Sequence, residues 1–122
     1  MKRSYAYLRI TCKDKRERAE IKERLAEVTP FYRKRKELRY MELASPVAMP
    51  IPELLEDVLF LLEEHTEKLV EVCKLPFCKP ELVASSPAPF SLTDIPACVP
   101  EFMQRTGATL VLNGEETVLD AD

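Results

Sequence analysis

Glycine is nearly missing from this chain: 122 residues include two, Gly107 and Gly114. That excludes a phosphate-cradling loop and a dinucleotide fingerprint, which need several glycines in one short stretch so that backbone can approach the anion. Histidine is scarcer still, with His65 alone. It follows Leu62 by three and precedes Leu69 by four, at the flank of an apolar stripe, and is expected to be a partly buried structural residue. No apolar run approaches the roughly 20 residues that span a bilayer. Behind Met1-Lys2-Arg3 the chain alternates instead of forming an apolar segment, so no signal peptide is expected. Internal repeats and low-complexity segments are absent, and no nucleophile sits in a recognisable motif. These absences lead to a non-enzymatic, cytoplasmic protein with no cofactor, no metal and no membrane contact, forming one domain over residues 1–122.

Cysteine is present but without a pattern. Cys12, Cys73, Cys78 and Cys98 match no zinc-ribbon or redox spacing. The pair nearest in sequence, Cys73 and Cys78, brackets Lys74-Leu75-Pro76-Phe77 rather than a two-residue knuckle. All four are expected to be reduced and to behave as small hydrophobes.

What the chain does have is a globular balance, 46% hydrophobic and 32% charged residues. Its dominant feature is residues 52–75, which read as one long amphipathic helix. Leu55, Val58, Leu59, Leu62, Thr66, Leu69, Val70 and Cys73 follow at steps of three or four and share one stripe. Pro52 suits a first turn and Pro76 stops the run. Phe60 and Leu61 widen the apolar arc, as expected of a helix lying across a sheet.

Around this helix the other elements fall in order. Residues 4–12 alternate, with Ala6, Leu8, Ile10 and Cys12 on one face and Tyr5, Tyr7, Arg9 and Thr11 on the other, which is a half-buried strand. Asp14 caps a helix over 15–26, with Glu17 placed as in a capping box and a thin apolar face of Ala19, Ile21, Leu25 and Ala26. Residues 31–36 read as a basic loop into a second strand, 37–43. There the alternation leaves open whether Leu38 and Tyr40 or Met41 and Leu43 face inward. A third strand is expected near 81–85 and a helix over 100–106 closed by Gly107. A last strand covers 108–112. Asn113-Gly114 favours a tight hairpin, making 116–119 an edge strand; the alternative for 114–122 is a frayed acidic tail. The result is an α+β two-layer sandwich of order β-α-β-α-β-α-β. Its helices lie on one face of a four-stranded sheet, five-stranded if the hairpin forms.

The segments Ser4-Tyr5-Ala6-Tyr7-Leu8-Arg9-Ile10, a basic stretch before the second strand, Leu54-Leu55-Glu56-Asp57-Val58-Leu59-Phe60-Leu61-Leu62 and Phe102-Met103-Gln104-Arg105-Thr106-Gly107-Ala108-Thr109-Leu110 follow a further pattern. In this the chain resembles a family of small bacterial α+β domains of unknown function. The resemblance implies the fold class and transfers no activity. Some small α+β domains of this kind act as immunity proteins that cap toxins.

Charge is divided along the chain. Residues 1–40 hold 14 Lys or Arg against 6 Asp or Glu, and residues 41–122 hold 4 against 15. Two binding surfaces follow from this division. One is protein-binding: Glu63, Glu67 and Glu71 at steps of four form an acidic row for a basic protein partner. Tyr5, Tyr7 and Tyr40 on an open sheet face could serve the same purpose, or hold a second copy in a homodimer. The other is nucleic-acid binding. Arg33, Lys34, Arg35, Lys36 and Arg39 would neutralise phosphates while Phe31, Tyr32 and Tyr40 stack on bases. The acidic remainder of the chain opposes it, and the protein-binding module, of immunity type, is the leading reading.

Overall fold

In the computed structural model, which describes residues 2–119, the alternation of β1 (Ser4–Thr11) places it at the middle of a sheet. Ala6, Leu8 and Ile10 are fully buried on the helix side. β1 pairs antiparallel with β3 (Glu37–Ser45) and with β4 (Lys79–Ser85). The sheet continues outward through β2 (Phe31–Lys34) on one side. On the other lie β5 (Thr109–Leu112) and β6 (Glu115–Thr117). The order is β2-β3-β1-β4-β5-β6, with only β4 and β5 parallel. The sheet therefore has six strands rather than four or five. The hairpin strand forms as Asn113 (φ 50°) and Gly114 (φ 84°) suggest, while residues 120–122 of the expected acidic tail lie outside the described residues.

The additional strand is β2, which was expected to be loop. It pairs with β3 from Phe31↔Tyr40 to Lys34↔Glu37 around the two-residue turn Arg35-Lys36. Arg35 takes φ 58° there, a conformation usually left to Gly or Asn, and the Arg33 Nε donates to its carbonyl at 2.8 Å. The question of which β3 face is buried also has its answer here: both, in succession. Met41 adopts φ 58°, donates its N–H to Pro30 O at 2.8 Å, and shifts the β1–β3 register between Ala6 and Leu8. This bulge reverses the alternation. Leu38 and Tyr40 face the core before it, and Met41 and Leu43 pack there after it.

Helix α1 (Lys15–Arg24) begins at Asp14, whose carboxylate accepts from the Arg16 N–H at 2.7 Å. Its inward side is Arg18 and Ile21, continued past the helix by Leu25 and Val28, while Ala19 and Ala26 are exposed. The expected long helix is two helices. α2 (Ile51–Leu62) and α3 (Thr66–Cys73) are separated by a 3-10 turn at Glu63–His65, where the Thr66 hydroxyl donates to Glu63 O at 2.7 Å. A 3-10 residue advances the chain by roughly 120° instead of 100°, so three of them rotate the following helix by about 60°. That rotation brings Val72 inward with Leu69 and Cys73, and turns Val70 partly outward.

α4 (Cys98–Thr106) carries Pro100 in its first turn and ends at Gly107, which has φ 75° and donates to Met103 O at 2.8 Å. α2 lies across β1, β3 and β4, with α4 beside it and α3 against α4 and α1. One core contains residues from all four helices and the helix-side strand faces. The opposite sheet face carries a small separate cluster of Tyr7, Val83 and Val111, with Tyr5 packed against it. No helix among the described residues is long and apolar enough to cross a membrane.

Candidate functional site

The sheet face offered for binding is occupied by its own side chains. Tyr5 and Tyr7 stack with ring centres 6.0 Å apart, and Arg39 lies 4.5 Å over the Tyr7 ring, leaving Tyr7 only 3% exposed. Burial pushes the Tyr7 phenol up, against the opposing pull of Arg39 and Arg9. Arg39 is 3.0 Å from Glu37, and Arg9 bridges Glu81 at 3.1 Å and Glu37 at 3.5 Å. Tyr40 is not on this face. It is 1% exposed in the main core, with its ring 5.0 Å from Phe31, and burial pushes its hydroxyl well above the ordinary range.

The basic candidates divide in the same way. Arg33, Lys34, Arg35 and the turn are exposed on the β2–β3 hairpin. The aromatics meant to stack beside them are engaged elsewhere. Phe31 is half-buried beneath the Lys22 ammonium, and Tyr32 accepts a 2.7 Å hydrogen bond from Arg39 while that guanidinium covers its ring. What remains is a local positive patch whose one exposed aromatic, Tyr32 at 38%, is tied to Arg39.

The acidic candidates are split by the 3-10 turn. Glu67 and Glu71 share a row on α3, and Glu71 sits 3.4 Å from Arg24 of α1. Glu63 lies in the turn and is exposed at the mouth of a cleft between α2 and α4. His65, half-buried next to it, places Nε2 3.3 Å from Glu64 Oε1. No group of three or more metal-ligating side chains converges among the described residues.

The cleft brings together residues that the sequence pattern did not connect. It encloses about 280 Å³, with Leu59, Leu62, Cys98 and Phe102 forming apolar walls. Phe60 stands at its edge and is 73% exposed. Glu56 and Glu63 on one side and Glu101 on the other form a carboxylate rim, with Arg105 the one cation. Among the described residues, none of these three carboxylates has a Lys or Arg partner within 4 Å. A more polar hollow adjoins the cleft and shares Glu63, Thr66 and Arg105 with it, extending the acidic surface to Glu64 and Glu67. The sequence signal for this site was Phe60, one position too far round for the α2 stripe. It widened the expected core instead of marking a surface.

Comparison with protein-family models, curated proteins and solved structures finds no match to the chain in any of the three.

Proposed function

We propose that this protein is a non-enzymatic protein-binding module that receives a basic, amphipathic segment of a partner in the α2–α4 cleft. One observation carries the reading: an apolar cleft with a largely exposed phenylalanine at its edge and an unpaired carboxylate rim. Exposed aromatic side chains next to a pocket are the kind of residue that dominates binding energy, and rim charges steer encounter. A partner's apolar side chain would enter beside Phe60 and Phe102, with its Lys or Arg residues reaching Glu56, Glu63 and Glu101. An immunity-type inhibitor works through such a surface and requires no catalytic group.

The test is capture of a partner from the native host, followed by titration against two variants. Phe60→Ser is expected to weaken binding about 30-fold, the equivalent of roughly 2 kcal/mol for a central aromatic anchor. Reversal of Glu56, Glu63 and Glu101 to Lys is expected to slow association most at low salt. Equal affinity for wild type and Phe60→Ser would refute the cleft. The alternative is nucleic-acid binding by the exposed Arg33, Lys34, Arg35 and Lys36. It predicts tight binding of single-stranded oligonucleotides at physiological salt, lost when all four become Ser and indifferent to Phe60.

A further inference from the structure

The antiparallel register of β1 and β4 runs from Tyr5↔Ser85 to Thr11↔Lys79. Carried one residue further, it sets Cys12 directly opposite Cys78. Both thiols belong to one core cluster, with Cys12 inside it and Cys78 packed against it. Residues directly opposite on antiparallel strands hold their Cβ atoms about 4.5–5.5 Å apart, within an ångström or so of the separation a disulfide needs. Cys12 is buried at the end of β1, whereas Cys78 is half-buried and open to a small reagent. Cys73, at the end of α3, is also near Cys78 but is not set opposite it by a strand register, and Cys98 belongs to the cleft wall.

We propose that Cys12 and Cys78 form an oxidative modification site, a reduced thiol pair that hydrogen peroxide closes into a cross-strand disulfide. One sulfur, as thiolate, attacks a peroxide oxygen; the O–O bond breaks and the leaving hydroxide takes a proton to become water. The resulting sulfenic acid is attacked by the second thiol, which gives up its proton. The S–O bond breaks, and hydroxide leaves with that proton as a second water. Two thiols are oxidised and one peroxide is reduced to two waters. Burial pushes the Cys78 thiol up to about 12 and raises Cys12 as well, so the thiolate fraction at neutral pH is small. The reaction should therefore be slow at pH 7 and accelerate as pH rises.

The test treats fully reduced protein with hydrogen peroxide and reads intact mass, then maps links in a non-reducing digest. A loss of 2 Da on the order of one per chain is expected, located in a Cys12–Cys78 peptide pair and reversed by dithiothreitol. The thermal midpoint should rise on closure and return on reduction, because the bond constrains the unfolded chain. Cys78→Ser, at the half-exposed position, should abolish the 2 Da loss, whereas Cys73→Ser and Cys98→Ser should retain it. Differential alkylation of the wild type provides a second reading that requires no variant: Cys12 and Cys78 should lose reactivity together. A Cys73–Cys78 link, or single-thiol oxidation without any 2 Da loss, would overturn the proposal.

Discussion

Leu62 and Phe60 lie two residues apart on α2, one 1% and the other 73% exposed. Sequence periodicity assigned both to the apolar side, so paired truncations separate core from surface directly. Leu62→Ala removes a side chain enclosed by the sheet-facing core, and such truncations cost about 2–5 kcal/mol through lost transfer energy and a residual cavity. Phe60→Ala removes a ring that already meets water. The change should stay within about 0.5 kcal/mol, since alanine also favours the helix slightly. With a urea slope of about 2 kcal/mol/M for a chain this size, a 3 kcal/mol loss lowers the midpoint by about 1.5 M. Phe60→Ala should shift it by less than about 0.3 M on the same slope. Urea melts followed by circular dichroism, with the slope unchanged between variants, provide the comparison. A loss below about 0.5 kcal/mol for Leu62→Ala would mean that the helix register is wrong. A loss above about 1.5 kcal/mol for Phe60→Ala would mean that Phe60 is packed and the cleft is not open.

Two further outcomes are expected. The Tyr40 hydroxyl is buried without a hydrogen-bond partner among the described residues. Tyr40→Phe should therefore leave stability unchanged or raise it by about 1–2 kcal/mol in denaturant melts; a comparable loss would show that the hydroxyl is bonded. Burial pushes the Cys73 thiol up to about 12 from an ordinary 9.0. The unfolded chain thus releases this proton near pH 9 and the folded chain does not. Stability should be intact below pH 9 and fall between 9 and 12, by on the order of 1 kcal/mol per pH unit from this group. Thermal midpoints of Cys73→Ala should decline less steeply over that window, and parallel slopes for the two proteins would contradict the burial.

The acidic surface illustrates how local pattern and tertiary context part company. Glu63, Glu67 and Glu71 are four apart, and an uninterrupted helix would align them. Three residues of tighter winding at Glu63–His65 move Glu63 to the cleft and leave Glu71 facing Arg24. The tyrosines show the same divergence. Tyr5 and Tyr7 do share the sheet face opposite the main core, as alternation requires. That face is nevertheless closed, because Arg9 reaches Glu81 on the neighbouring strand, and Arg39, held by Glu37 of its own strand, covers the Tyr7 ring. Tyr40 misled for a different reason: the bulge at Met41 changes which side of β3 is buried.

Sequence alone determined the features whose causes lie within a few residues of one another. The Asp14 cap, the Gly107 terminus, the Asn113-Gly114 turn, the alternation of β1 and the Leu55-Val58-Leu59-Leu62 stripe all stand where side-chain chemistry places them. Tertiary structure alone decided what depends on partners distant in the chain. β2 becomes a strand because β3 offers it a ladder, despite a turn with neither glycine nor asparagine. The cleft exists because α4 packs beside α2 about 40 residues away in sequence, a separation that periodicity does not report. Cys12 and Cys78, 66 residues apart, come to opposite positions for a related reason: the register shared by β1 and β4, carried one residue on, sets them there. Hydrogen-bond ladders and packing choose such pairs cooperatively, after local propensity has set out the pieces.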